Sequence, residues 1–497
     1  MNYRLLANFL GLFSIGLGLS MTPALICAAI YLEGWTVFAF AASMLICGGL
    51  GVGLRRLGQN HPPTIFNREA LGLVAMSWIF ASVLGALPFV FAGSLNYVDA
   101  LFECASGFST TGSSVMTNLA GTPRGIIFWR SFTHFLGGAG IIVLFIAVLP
   151  YLGAGGKLLF KSESSGPDKR GLTPKIKDTA YVVWMIYCFL TALQTGALLM
   201  AGMSLFDALC HSFGTLSSGG FSTRQLSVME YNSFSIEVIC TVFMVCAGTS
   251  FGTFFMMAKG DWLAPFKDVE WRLYIFLLVV FSIIIAFNLT GFRGVFSVDG
   301  QPIDPGVQYD TFSEALRYST FQVVSVMTNT GFVSADFDQW PEFSRMLLIG
   351  IMFLGGCAGS TTAGLKLMRV IVLVKVVYKK IETMFRPKRV RAIRVNGFIV
   401  DEEAQLSVMC FGALLVGWWM FASLALTLMG VPMETAASAV ACTLNGTGPG
   451  LEFVGAVRDF HAIPALGKLL LTFTMILGRL ELFTLLVLLV PGYWKKD

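Results

Sequence analysis

Residues 99–112 read Asp-Ala-Leu-Phe-Glu-Cys-Ala-Ser-Gly-Phe-Ser-Thr-Thr-Gly. The stretch starts as a helix with an acidic residue in its first turn, and it stops at hydroxyl residues and a glycine. Ser113, Ser114, Asn118, Gly121 and Pro123 then favour a loop that turns the chain back. The pattern recurs three times. Asp207-Ala208-Leu209 leads to Ser218-Gly219-Gly220. Glu314-Ala315-Leu316 leads to Asn329-Thr330-Gly331. Glu434-Thr435-Ala436 leads to Asn445-Gly446-Thr447-Gly448. The terminal glycines recur at roughly 110-residue intervals, which marks fourfold internal repetition. For a single such motif, helix packing through small residues is the simpler explanation. Four at one period point to a shared site.

The surrounding chain is apolar. Of 497 residues, 55% are hydrophobic and 13% charged, with mean hydropathy +0.73. A soluble domain carries about 25% charged residues. Runs near the roughly 20 residues that cross a bilayer recur throughout, without the alternation of a β-barrel. The fold class expected is an all-α polytopic membrane protein of ten crossings: 5–32, 35–54, 70–92, 126–152, 179–202, 234–257, 273–288, 343–378, 406–429 and 463–490. The first run is too long for a signal-peptide core and reads as a retained span. The domains are an N-terminal two-span pair (1–68) and four pore repeats (69–160, 161–262, 263–395 and 396–497). Each repeat is span, re-entrant hairpin, span. The 10 cysteines are scattered and read as small core side chains.

Charge placement tests the layout. With both termini cytoplasmic, most of the 34 lysines and arginines fall on the inside, as the positive-inside rule requires. They include Arg55, Arg56, Lys157–Lys177, Lys259, Lys267, Arg272, the run from Lys366 to Arg394, and Lys495 and Lys496. The bias holds only if each short element enters and leaves on the outer side. All four repeats then share one orientation around a common axis, which disfavours inverted-topology transporters.

Non-helical backbone at membrane depth is tolerated only against protein or a water-filled cavity. Four such segments around one axis form a carbonyl ring that can replace the hydration shell of a monovalent cation. Glycine supplies the backbone angles that aim carbonyls inward. Thr110, Thr111, Ser217, Ser218, Thr330 and Thr447 could add hydroxyl ligands. The turns hold no carboxylate, which favours an alkali cation over a divalent one. The short helices would point their partially negative C-termini at the site, with Asp99, Asp207, Glu314 and Glu434 as caps at the other end.

Ser109-Thr110-Thr111-Gly112, Ser218-Gly219-Gly220-Phe221-Ser222-Thr223, Asn329-Thr330-Gly331-Phe332 and Asn445-Gly446-Thr447-Gly448-Pro449-Gly450 resemble the four filter loops of the Trk/Ktr/HKT superfamily of potassium transporters. The N-terminal pair and Gly478-Arg479-Leu480-Glu481-Leu482-Phe483-Thr484 look like its bacterial TrkH/TrkG branch. The resemblance covers the whole chain. It implies potassium uptake across a bacterial inner membrane and a homodimer with one pore per protomer. It also implies a cytoplasmic nucleotide-binding regulator of TrkA type, with no organic cofactor and no nucleic acid. The family's filter glycines match Gly112, Gly220, Gly331 and Gly448. Potassium-binding residues are expected at Thr110, Thr111, Gly112, Ser218, Gly219, Gly220, Asn329, Thr330, Gly331, Gly446, Thr447 and Gly448. Gly446-Thr447 departs from the Asn-Val-like pair of many relatives. A glycine in the first loop resembles potassium-selective members.

The span 343–378 is interrupted by Gly355-Gly356-Cys357-Ala358-Gly359-Ser360-Thr361-Thr362-Ala363-Gly364, which will not hold a straight helix. It reads either as a packing kink or as a flexible gating loop below the filter, and it resembles the family's intramembrane loop. Gly355, Gly356, Gly359, Gly364 and Lys366 are the gating candidates, with Lys366 and Arg369 as a lever to the basic cytoplasmic segment. Arg479 falls mid-span, where an isolated arginine costs about 2.5–3.5 kcal/mol on insertion scales. It should pair with another segment or line the pore under the filter and repel cations. Glu481 is two residues away and does not share its helix face. A proton- or sodium-coupled secondary carrier is the alternative function, and it would need acidic relays at midspan, for which Glu481 is the main candidate. A membrane enzyme is a third class. No nucleophile–base cluster supports it, and His61, His134, His211 and His461 are dispersed. His134 and His211 read as packing residues.

Overall fold

The computed structural model describes residues 1–59, 67–152, 176–291, 297–298, 301–302, 307–387 and 392–494. His61, Lys157, Lys161, Lys169, Arg170, Lys175, Arg293, Lys388, Arg389, Arg391, Lys495, Lys496 and the boundary after residue 160 lie outside the described residues.

The chain is helical, with two two-stranded ribbons. Six helices among the described residues are long and apolar enough to cross a membrane: Tyr3–Ile30, Gly34–Leu57, Arg68–Phe91, Tyr181–Met200, Val269–Leu289 and Glu402–Leu428. Two bent pairs raise the number to eight. Phe234–Ala247 and Phe251–Ala258 meet at 93°, and Ala465–Arg479 and Phe483–Leu489 meet at 117°. Eight of the ten expected crossings coincide with these helices, in part as bent pairs. The stretch 126–152 is one helix, Arg124–Leu152. The stretch 343–378 splits into Glu342–Met352 and Leu367–Phe385. The spans 234–257 and 463–490 are each broken where a continuous helix was expected.

Between the long helices stand four short ones: Tyr97–Phe108, Leu205–Leu216, Phe312–Met327 and Met433–Asn445. They hold 12, 12, 16 and 13 residues. At 1.5 Å per residue they reach roughly 18–24 Å, short of a hydrocarbon core about 30 Å thick. Three begin in caps. Asn96, Ser204 and Thr311 accept the backbone N–H of Asp99, Asp207 and Glu314. The Asn96 amide and Ser204 hydroxyl also donate back to the acidic side chains, so donors at the helix start are satisfied reciprocally. The fourth starts at Pro432 without a side-chain cap.

The helix that follows each short helix packs onto the next repeat's short helix through its own fourth residue. Lys468 Nζ lies 2.5 Å from Asp99 Oδ1, joining the last repeat to the first. Glu237 receives both a 2.7 Å and a 2.8 Å bond from the Arg317 guanidinium, joining the second to the third. Arg345 pairs with Glu434, joining the third to the fourth, and also holds Glu452 at 3.0 Å. At the remaining seam the fourth residue of Arg124–Leu152 is Ile127, and the join is aromatic. Phe128, Phe132 and Phe135 surround Phe213 with ring centroids 5.0–5.9 Å apart. The N-terminal pair is tied to the same helix, because Glu33 accepts the N–H groups of Arg124 and Gly125.

Lys468 and Asp99 are both buried, so removing one partner leaves a stranded charge. Lys468→Met should cost about 3–5 kcal/mol, and adding Asp99→Asn should restore more than half of it. Thermal unfolding of the detergent-solubilised protein measures this, and equal losses in the single and double variants would contradict the pairing.

Candidate functional site

Each short helix ends in the same backbone sequence. Thr110, Ser218, Asn329 and Gly446 are left-handed, with φ of 54°, 57°, 56° and 74°. Two residues later Gly112, Gly220, Gly331 and Gly448 are left-handed again, at 84°, 75°, 74° and 95°. Between them Thr111, Gly219, Thr330 and Thr447 have ordinary negative φ. Alternating the sign of φ turns successive carbonyls toward one side of the chain. The glycines tolerate this freely, whereas Thr110, Ser218 and Asn329 hold it under strain. Nothing in the residue types Thr and Ser announces a left-handed backbone at 110 and 218, whereas asparagine, as at 329, adopts it more readily.

A second constraint acts on the glycines. A Cβ on Gly112 would overlap the carbonyl oxygen of Gly219. A Cβ on Gly220 would overlap that of Thr330, and one on Gly331 that of Thr447. A Cβ on Gly448 would sit 3.0 Å from the carbonyl oxygen of Thr111. The contacts run from first loop to second, third, fourth and back to first. The structure therefore closes the four turns into one cycle through Thr111, Gly112, Gly219, Gly220, Thr330, Gly331, Thr447 and Gly448, with a carbonyl oxygen at each junction. All four glycines also line one cavity on the side where the chain leaves the turns, with Ser113, Ser222, Arg224 and Asp459.

The side-chain oxygens are arranged differently from expectation. Thr111 Oγ1 is 2.7 Å from Ser109 Oγ, and Thr330 Oγ1 is 2.8 Å from Thr328 Oγ1. Ser217 donates to Phe213 O, Ser218 bonds Thr361, and Thr447 accepts from the Asn329 amide. These hydroxyls brace the turns. In the turns themselves, Thr110 Oγ1, Asn329 Oδ1 and Asn445 Oδ1 are buried without a partner. Asn445 was missed as an oxygen donor; its amide is spent on Ala441 O.

Directly against the turns lies the loop between Glu342–Met352 and Leu367–Phe385. Ala363 Cβ is 2.9 Å from where a Cβ on Gly446 would stand, and Gly364 would meet the Asn329 side chain at 3.5 Å. The loop is stitched in place. Gly355 N bonds Leu365 O at 3.0 Å, Cys357 N bonds Gly248 O at 2.9 Å, and Phe251 N bonds Gly359 O at 3.0 Å. Thr361 Oγ1 donates to Leu216 O at 2.9 Å. Gly359 and Gly364 are left-handed, and side chains on Gly355 and Gly356 would run into Ala363 O and Gly248 O. The flexible loop expected from its glycines is thus compact, with the glycines spent on close approach.

Lys366 is buried at the start of the helix Leu367–Phe385 and turns into the loop, bonding the Thr362 carbonyl and, at 2.9 Å, the Thr362 hydroxyl. Arg369 pairs with Glu481 and lies 4.3 Å over the Phe411 ring. Arg479 lies against the loop. It ends the helix Ala465–Arg479 at the 117° bend, where Glu481 and Leu482 take φ of 56° and 60°. Its guanidinium donates to Thr361 O at 3.0 Å and to Gly137 O at 3.1 Å, joining the loop to the first repeat. Glu270 was missed. Its buried carboxylate accepts the N–H groups of Ala358 and Met368, both at 2.8 Å, and so clasps both ends of the loop. His134 and His211 are buried beside the second turn. His134 stacks on Phe221 at 4.0 Å, and His211 bonds Asp207 O and Ser222.

Residues 38–496 match the family model TrkH, a cation transport protein. The chain is 34% identical over 501 residues to the Trk system potassium uptake protein TrkH of Halomonas elongata, with full coverage of both. It is 34% identical over 505 residues to that of Escherichia coli K12, again with full coverage, and 32% identical over 483 residues to TrkG of the same organism, covering 96% of each. The crystal structure of the potassium transporter TrkH from Vibrio parahaemolyticus superposes with a TM-score of 0.86 at 32% identity, covering both chains completely.

The glycine contacts give a ranked expectation. Gly448→Ala should cost about 1–2 kcal/mol, the penalty of a left-handed alanine. Gly112→Ala, Gly220→Ala and Gly331→Ala should cost distinctly more, because the methyl group also displaces a neighbouring carbonyl. Thermal unfolding and rubidium flux of the four variants measure the order; four equal effects would contradict it.

Proposed function

Since the chain belongs to the TrkH family of cation transport proteins, a family of transporters and not of enzymes, we propose that it carries potassium into the cell. The observation that carries this reading is the closed cycle in which each turn's glycine faces the next turn's carbonyl. Potassium sheds water at this cycle and is held by backbone oxygens of Thr110, Thr111, Gly112, Ser218, Gly219, Gly220, Asn329, Thr330, Gly331, Gly446, Thr447 and Gly448. The potassium ion is the cargo, and the chain needs no organic cofactor for it.

The loop 355–364 is the gate in this reading. It presses against three of the four turns and is held by Glu270, Lys366 and Arg479. A path for ions requires that the loop withdraw, and Gly355, Gly356, Gly359 and Gly364 are the places where the backbone can rearrange. The Arg479 charge adds an electrostatic barrier at the same level.

The multi-pass chain sits in the bacterial inner membrane with both termini cytoplasmic, as its basic residues favour. The domains follow as an N-terminal pair (1–68) and four pore repeats (69–160, 161–262, 263–395 and 396–497). Relatives bear the name Trk system potassium uptake protein, the name of a system with more than one part. The assembly proposed is a homodimer with one pore per protomer and a TrkA-type nucleotide-binding regulator on the inner face.

Flux in proteoliposomes tests the reading. Rubidium, a tracer for potassium, should enter faster than sodium, with or without a pH gradient supplying the vesicles. Equal rates for the two ions would contradict a potassium filter. Arg479→Ala should speed cation flux by releasing the loop from Gly137 and removing the charge; unchanged or slower flux in a properly inserted protein would remove Arg479 from the gate.

A further inference from the structure

Behind the carbonyl cycle the four short helices share one more feature, which repeats in position while changing in chemistry. Glu103, His211 and Gln322 stand the same number of residues ahead of Gly112, Gly220 and Gly331, and Ser438 stands one residue further from Gly448. All four are fully buried. Each reaches across to the limb of chain that leaves its own turn. Glu103 accepts the Ser114 hydroxyl at 2.9 Å and the Val115 N–H at 2.8 Å. His211 donates from Nδ1 to Asp207 O at 2.8 Å, which leaves Nε2 to accept the Ser222 hydroxyl at 2.9 Å. The Gln322 amide reaches Ser334 Oγ and Ala335 O, both at 3.4 Å. Ser438 Oγ accepts the Leu451 N–H at 3.0 Å.

A carboxylate, an imidazole, an amide and a hydroxyl thus perform one geometric task. We propose that these four are positioning residues: they hold the outgoing limbs at a fixed distance from the short helices and thereby set the width of the carbonyl cycle that discriminates potassium from sodium. The proposal rests on reading that cycle as the selectivity filter. Potassium and sodium differ in size, so discrimination by the cycle weakens if its carbonyls are free to close on the smaller ion. The glycine–carbonyl contacts keep the turns apart from within. The four struts keep them from moving outward or sliding along the axis.

The first strut is the strongest, and it is coupled to the second. Arg130 Nε lies 2.5 Å from Glu103 Oε1, with both side chains buried. The same guanidinium donates to Ser222 O at 2.9 Å and covers the Phe221 ring at 3.6 Å. Ser222 is therefore held twice, by His211 through its hydroxyl and by Arg130 through its carbonyl. Charge-assisted bonds are about twice as strong as neutral ones. The third limb is held by the neutral Gln322 amide and by Ser325 Oγ, which donates to Phe332 O at 2.7 Å, and the fourth by the Ser438 hydroxyl, so the charge-assisted bracing falls on the first two limbs.

The test compares rubidium and sodium flux of the full-length protein in proteoliposomes. His211→Leu removes the second strut with its shape roughly kept, and His211→Gln installs the residue the third repeat uses at the same station. Ser438→Ala removes a single hydroxyl. The rubidium-to-sodium flux ratio should fall about fivefold in His211→Leu and in Ser438→Ala, the factor one net hydrogen bond is worth. His211→Gln should recover most of it. Gly448→Ala, the mildest change in the cycle itself, is the reference. If Gly448→Ala leaves the ratio unchanged, the filter reading fails. If it lowers the ratio while Ser438→Ala and any inserting His211→Leu protein keep the wild-type value, the strut proposal is overturned and the filter reading stands. Should His211→Leu not insert, Ser438→Ala alone decides.

Discussion

At four places near the centre of the molecule, the missing side chain of a glycine is replaced by the carbonyl oxygen of the next repeat. The contact is both steric and conformational. The oxygen occupies the space a Cβ would need, and the backbone is left-handed, which only glycine adopts without penalty. Because each contact involves two repeats, no repeat can complete its own turn. The cycle exists only when the fourth loop meets the first. The surrounding elements serve that closure. Three of the short helices are capped so that they begin at a defined point, and ion pairs at three seams set the rotation of one short helix against the next.

The four glycine turns and the interruption of 343–378 were legible because each leaves a compositional trace. Glycine and hydroxyl residues stand out in an apolar chain, and the period makes four weak signals into one. The breaks at 248–250 and 480–482 were not legible. In 234–257 the run Gly248-Thr249-Ser250-Phe251-Gly252 is short enough to be absorbed into an apolar span, and the loop 355–364 packs against the bend there. At 480–482 the left-handed residues are Glu481 and Leu482, types that do not favour that conformation. Glu481 is held by Arg369 from another repeat, a pairing that sequence spacing cannot reveal.

The loop beneath the turns shows why glycine content misleads about mobility. Its glycines read as freedom of the chain, yet each of Gly355 and Gly356 is required by a carbonyl lying against it. Its polar atoms are matched to Lys366 at its own end and to Glu270 and Arg479 on two other helices. Such a loop has two well-defined costs: hydrogen bonds broken when it leaves, and buried polar groups stranded until they find water. A segment of this kind has discrete positions and does not drift among many. Lys366 belongs to the loop's own interior. An outside influence would have to act through the helix Leu367–Phe385 or through Glu270 at the foot of Val269–Leu289.

The seams also carry a consequence for the order in which the molecule is built. Repeats one and two meet through phenylalanines around Phe213 and need no partner from elsewhere. The ribosome makes these first, and a greasy contact can form in lipid as soon as both helices have entered. The closing seam is ionic and joins residues 369 positions apart. Asp99 therefore waits for a lysine made in the last quarter of synthesis. A chain cut short keeps an uncompensated acid on an open edge, a ready mark by which unfinished protein differs from finished protein.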